Sequence, residues 1–173
     1  MKSKKDLYLL TLTMELSLPI IAWLVIFFME KKKWFEIVSI SPVYLQLLTG
    51  VGIGVALAFG LNYLVRINYF KSVQELLGSL FKMFDINFVD MVIIALLAGF
   101  CEEILFRVVL QQYWGIWLTS FVFILIHGYF NPKSLSISVF GVIMFLLSAV
   151  IGYLYQYMGF WAAVSMHAVY DVL

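Results

Sequence analysis

Cysteine occurs only once in this 173-residue chain, as Cys101, which excludes an internal disulfide and a cysteine-rich metal centre. Charge is scarce too: Asp, Glu, Lys and Arg make up 12% of the residues and the formal net charge is +1. No basic cluster is large enough for a nucleic-acid footprint, although the lysines near helix ends suit a membrane surface. The ten-residue alternation of a membrane β-barrel is missing. With no internal repeat, low-complexity stretch or linker, residues 1–173 read as one domain. The leading MKSKKD is basic, but the apolar run after it is longer than that of a signal peptide and has no clear small-residue cleavage site, so it reads as a retained first span.

What the chain does have is apolar surface. It is 64% hydrophobic with a mean hydropathy of +1.02, more than a soluble domain needs, which points to lipid as the solvent. Apolar runs at about 7–29, 43–65, 90–111, 114–130, 135–157 and 159–173 reach or approach the ~20 residues that a helix needs to cross a bilayer. Backbone groups in lipid must be satisfied internally, so these runs are helices. Between the second and third, Val73, Leu76, Leu77, Leu80 and Phe84 recur at helical spacing among Lys71, Glu75, Lys82 and Asp85, the pattern of an amphipathic helix lying in the interface. The expected fold is therefore an all-α, polytopic membrane helix bundle with about six transmembrane helices and one amphipathic interfacial helix. Lys2, Lys4, Lys5, Arg66, Lys71, Lys82 and Lys133 fall on one side and Lys31, Lys32 and Lys33 on the other. That excess predicts a cell-membrane protein with both termini in the cytoplasm.

A charge near the bilayer centre costs at least about 2.5–3.5 kcal/mol, so each such residue needs a partner or a purpose. The spans hold Glu15, Glu102, Glu103, Arg107, His127, His167 and Asp171. Glu103 and Arg107 are four apart with the acid toward the N-terminus, the favourable order for an intrahelical ion pair. Glu102 is turned by about 100° onto a neighbouring face and lacks a local partner. An unpaired carboxyl in apolar surroundings suits general acid or base work. His127 ends the run FVFILIHGYF one turn after Phe123, and His167 and Asp171 share a helix face in MHAVYD. Taken singly, each group also reads as interhelical hydrogen bonding. Together, a carboxylate, a histidine, and a histidine with a second carboxyl on three successive helices are what a buried hydrolytic site would need.

In this order the residues resemble the three motifs of the CPBP intramembrane proteases, also called the Abi or CAAX-protease family: Glu102-Glu103-x-x-x-Arg107, Phe123-x-x-x-His127 and His167-x-x-x-Asp171. The resemblance covers roughly residues 90–173. It implies peptide-bond hydrolysis within the membrane, with Glu102 and His127 activating water, His167 and Asp171 stabilising the oxyanion, and Glu103, Arg107 and Phe123 supporting the site. The prenyl proteases of the family carry asparagine where this chain has Asp171. An ionised aspartate only accepts hydrogen bonds and would repel an oxyanion, so Asp171 would act protonated or orient His167 instead. No lipid-binding feature points to a prenylated substrate. The family also includes bacterial proteins linked to bacteriocin self-immunity, and the small size of the chain fits that or peptide processing.

No cofactor or metal is expected. Glu102, His127 and His167 could make a three-ligand zinc site, but the helical His-Glu-x-x-His motif is missing. The expected partners are a peptide or membrane-protein substrate and the lipid bilayer, with no nucleic acid. Two other readings stay open: a non-enzymatic immunity or binding protein whose polar groups are structural glue, each hydrogen bond worth about 0.6 kcal/mol, and a proton-coupled transporter relaying through Glu15, Glu102 and the histidines. Cys101 reads as a small buried apolar residue, since no positive group is placed to stabilise its thiolate. The GVGIG glycines, 50–54, read as close helix packing.

One expectation is awkward. At about 1.5 Å per residue, Glu102 lies roughly 18 Å from the cytoplasmic end of its helix near Asp90, and His127 only about 6 Å from the end of its own near Asn131. The two meet only if the boundaries shift by a few residues, the helices tilt by an ordinary ~20° or a water-filled funnel enters from the cytoplasm.

Overall fold

The computed structural model describes residues 3–28 and 40–173. Among these the chain forms α1 (Lys4–Phe28), α2 (Val43–Val65), a single 3₁₀ turn (Asn68–Phe70), α3 (Lys71–Phe84) and α4 (Phe88–Glu103). A π-helical segment (Ile104–Leu110), α5 (Gln111–Ile126), α6 (Leu135–Tyr157) and α7 (Phe160–Val172) complete it. Among the described residues every element is helical. Three helices, α1, α2 and α6, are each long and apolar enough to cross a membrane. Large apolar side chains such as Leu48, Phe59 and Trp117 stay exposed; an outer surface so apolar is matched by lipid rather than water.

The second and fifth spans have the expected boundaries, 43–65 and 135–157. Met29, Lys2 and the Lys31–Lys33 triplet lie outside the described residues. The amphipathic segment is helical as expected, with Val73 and Phe84 buried and Leu76 exposed. The side chain of Leu80 is outside the description.

The short α7 is the centre of the bundle. Eight of its residues, from Phe160 to Ala168, are buried, and a helix apolar on all sides belongs in the interior. Glycines let its neighbours approach. A Cβ at Gly50 of α2 would collide with the Ser165 hydroxyl and the Ala162 carbonyl, and one at Gly54 would lie 2.9 Å from the Met166 carbonyl oxygen. On the opposite side a Cβ at Gly99 of α4 would lie 3.1 Å from the Val164 carbonyl oxygen. Gly52, in the same GVGIG stretch, faces open space. Gly50→Val is therefore expected to destabilise the protein by about 1–3 kcal/mol through overpacking, while Gly52→Val leaves unfolding in detergent nearly unchanged; equal effects would contradict this packing.

At one end of the bundle, α1 is tied to α4. Asn87 caps α4 by accepting from the Asp90 N–H (3.0 Å), and Asp90 returns the bond to the Asn87 N–H (2.9 Å). The same Asp90 carboxylate receives Lys4 at 2.7 Å and the Tyr8 hydroxyl at 2.6 Å. Loss of the cap in Asn87→Ala is expected to cost about 1 kcal/mol. Asp90→Ala should cost more, because it also frees α1; unfolding of the two variants side by side checks the order.

The chain from Phe88 runs as continuous helix until Gly115, where φ 70 and ψ 175 break it. Glycine accepts this backbone without a Cβ clash. From there α5 doubles back and stops at Ile126, with Gly128 at φ 75 ending it. At about 1.5 Å per residue Gly115 is roughly 40 Å from Phe88, and the return to His127 covers only about 18 Å. His127 thus ends at the depth of Glu102, about 21 Å along α4. The helix ends are not level: α5 stops short of the start of α4, and its last residues, Leu125 and Ile126, are exposed.

Candidate active site

Glu102 and Glu103 close the last turn of α4, where the helix widens into the π segment. Such π turns are uncommon and frequent at functional sites. Glu103 and Arg107 make the expected i,i+4 pair, Arg107 Nε donating to Glu103 Oε2 at 2.8 Å, and both side chains are fully buried. A buried guanidinium must spend its remaining donors. Its Nη2 donates to Ser148 Oγ of α6 at 2.8 Å and its Nη1 reaches Ser120 Oγ of α5 at 3.3 Å. Residue 152 has to be glycine-sized, because a Cβ there would lie 3.4 Å from Arg107 Nη1 and 2.8 Å from Gln111 Oε1.

Across the α4–α7 contact, His167 Nδ1 lies 2.6 Å from Glu103 Oε1. A carboxylate bonded to arginine accepts, so the imidazole donates from Nδ1 and its orientation is set by Glu103. This decides which carboxyl holds the ring from Nδ1. Asp171, its neighbour one turn on, faces the other nitrogen, with Oδ2 at 3.5 Å from Nε2. Glu102 Oε2 faces that same Nε2 at 3.6 Å.

His127 sits just past the end of α5. Its Nδ1 donates to the Phe123 carbonyl at 2.6 Å. A carbonyl can only accept, so in the neutral ring Nε2 carries the lone pair, and that atom lies 3.7 Å from Glu102 Oε1. Phe123 braces the group. Its ring centroid lies 4.3 Å from that of His127, 6.0 Å from that of His167 and 4.8 Å from that of Phe106, and the Arg107 guanidinium stands over its face at 5.8 Å.

All seven residues singled out in the three motifs therefore meet in one polar cluster, with Glu103, Arg107, Phe123 and His167 buried and His127 and Asp171 at its exposed edge. Glu102 is its hub, with one carboxylate oxygen toward each histidine. Among the described residues, no group of three or more His, Cys, Asp or Glu side chains is disposed to hold a metal ion.

Several members were not found from the sequence. Ser120 and Ser148 are buried hydroxyls in apolar spans, and their only signal was polarity at that depth. Glu15 of α1 is expected from the sequence only as an intramembrane charge or as part of a proton relay, not as a neighbour of a hydrolytic site. It lies within electrostatic range of Glu102, His167, His127 and Asp171, and its Oε2 is buried with no hydrogen-bond partner among the described residues. Beside the cluster a cavity of about 410 Å³ opens between the ends of α2, α3, α4, α6 and α7, lined by Leu61, Met91, Tyr129, Phe140, Tyr170 and Asp171 among others. Asp171 belongs to both, so the cavity reaches the cluster.

No curated protein and no solved structure matches the chain. A family model does: that of the type II CAAX prenyl endopeptidase Rce1-like family matches residues 84–173. The matched stretch runs from the end of α3 through α7 and contains every motif residue of the cluster. The chain accordingly belongs to the Rce1-like family of type II CAAX prenyl endopeptidases, in agreement with the CPBP motifs.

Proposed function

We propose that this membrane protein is an endopeptidase that hydrolyses peptide bonds within the bilayer with a water activated by Glu102 and His127. Membership of a membrane-protease family supports hydrolysis as the reaction class. The observation that carries the residue assignment is the facing of Glu102 Oε1 and His127 Nε2 at 3.7 Å. A water about 2.8 Å from each atom sits at the apex of the triangle they form. Glu102 takes one proton from it, the lone pair on His127 Nε2 orients the other, and the oxygen attacks the scissile carbonyl carbon. On collapse the C–N bond breaks and Glu102 passes its proton to the leaving amine. His167 lies on the opposite oxygen of Glu102, with Asp171 also facing its Nε2. Glu103 and Arg107 hold His167 and are not themselves reactive.

The reaction is proposed to need no metal, so chelators leave it unchanged. The proposed location is the cell membrane with both termini in the cytoplasm; the Asn62 side chain near the end of α2 bonding the Leu173 carbonyl, and Lys4 bonding Asp90, support matched ends for these helices. Processing of a peptide or membrane protein, or self-immunity to a bacteriocin, is the proposed context. Mass spectrometry of new peptide termini in membranes from cells carrying the native protein or Glu102→Gln at equal abundance tests this. Termini that vanish in the variant name the substrate; identical profiles alongside an intact cellular phenotype refute catalysis through Glu102.

A further inference from the structure

The Nδ1–H donors of the two imidazoles that flank Glu102 are committed. Arg107 gives its guanidinium to Glu103, Ser120 and Ser148. His127 donates Nδ1–H to the Phe123 carbonyl, and His167 directs Nδ1–H to Glu103. What remains around Glu102 is a wall of acceptors: the carboxylate oxygens of Glu102 and Asp171, and two Nε2 atoms that carry hydrogen only in the imidazolium form. His167 Nε2 is moreover already faced by two carboxylates, at 3.6 and 3.5 Å. Attack on an amide puts negative charge on the carbonyl oxygen, which needs preorganised donors.

Two phenols stand beside this wall. Tyr129, two residues after His127, lies parallel to that imidazole with centroids 6.3 Å apart, and Tyr170 stacks on His167 at 5.4 Å. Both line the cavity that reaches Asp171, and both are within electrostatic range of Asp171 and Glu102. Among the described residues, neither hydroxyl is given to a protein acceptor. Tyr129 is the one held from behind by packing. Residue 141 of α6 is a glycine against it, where a Cβ would lie 2.9 Å from the Tyr129 Cβ and 3.1 Å from its carbonyl oxygen, and Phe140 meets its ring edge-on at 5.6 Å. Its position owes nothing to a polar partner, which leaves the hydroxyl for a ligand.

We propose that the Tyr129 hydroxyl donates a hydrogen bond to the scissile carbonyl oxygen as that oxygen becomes an oxyanion. The phenol keeps its proton throughout. The bond strengthens as the C=O electron pair moves onto oxygen and relaxes when the C–N bond breaks. This assignment rests on the protease reading above.

The test uses the full chain in lipid nanodiscs with a mixture of randomised synthetic peptides, and the products are read as new termini. Cleavage by the native protein that Glu102→Gln abolishes establishes the reaction. On a cleaved peptide, Tyr129→Phe is then expected to lower kcat by about 100-fold with KM within about twofold, and to keep the native melting temperature because the ring contacts remain. A native kcat in Tyr129→Phe, a loss confined to KM, or a loss that tracks a fall in folded protein overturns the donor role while leaving the protease reading in place. No cleavage by the native protein, or cleavage untouched by Glu102→Gln, overturns both.

Discussion

Glu102→Gln is expected to lower the cleavage rate by about 10²–10⁴-fold while leaving the melting temperature in detergent unchanged. Glutamine keeps the length and shape of the side chain and can still hydrogen-bond water, but it cannot take the proton. Glu102 can be replaced without structural damage because it makes no short bond among the described residues, where His127 and His167 face it at 3.7 and 3.6 Å. Glu103, one residue on, is the opposite case, with contacts of 2.8 and 2.6 Å to Arg107 and His167. Glu103→Gln should therefore lose stability and activity together. Initial rates and thermal midpoints for both variants separate the roles; a Glu102→Gln enzyme that keeps a tenth or more of native activity removes Glu102 as the base.

Arg107→Ala is expected to have the largest effect on folding, about 3–5 kcal/mol, because it strands a buried carboxylate rather than merely deleting a bond. The guanidinium is fully buried and joins α4 to α5 and α6 through Glu103, Ser120 and Ser148. Arg107→Lys should rescue little, since a point charge cannot serve three acceptors spread around a planar fork. In the double variant Glu103→Gln with Arg107→Met, part of the loss should return, because both charges are gone. Unfolding in mixed micelles measures all three. A loss below about 1 kcal/mol for Arg107→Ala would mean that the network adds nothing to the fold.

What the sequence made legible was local. Helical periodicity pairs Glu103 with Arg107 and turns Glu102 away, and the structure has both features because they depend only on the geometry of a single helix. Across the fold the three motifs pointed to convergence of Glu102, His127 and His167, but not to which groups bond which. Asp171, at i+4, looked as able to orient His167 as any group, yet Glu103, 64 residues away, occupies Nδ1 at 2.6 Å. The stretch ILFRVVL has nothing to separate it from ordinary α-helix, and its π turn is visible only in the backbone. The apparent mismatch in depth between Glu102 and His127 came from assuming level helix ends. It dissolves because the chain reverses at Gly115 and α5 then ends early, a fact of length and turn position that hydropathy averages away.

The Glu103–Arg107 pair lies within one helical turn of a single segment. Two charges on different helices could neutralise each other only after both helices had entered the bilayer and found one another. Here the match needs no partner helix, so during synthesis the 88–110 segment can leave the translocation machinery with its costliest charges already paired. The active centre would then be assembled around a feature that made its own insertion possible, and variants that split the pair should fail first in biogenesis, as protein missing from the membrane.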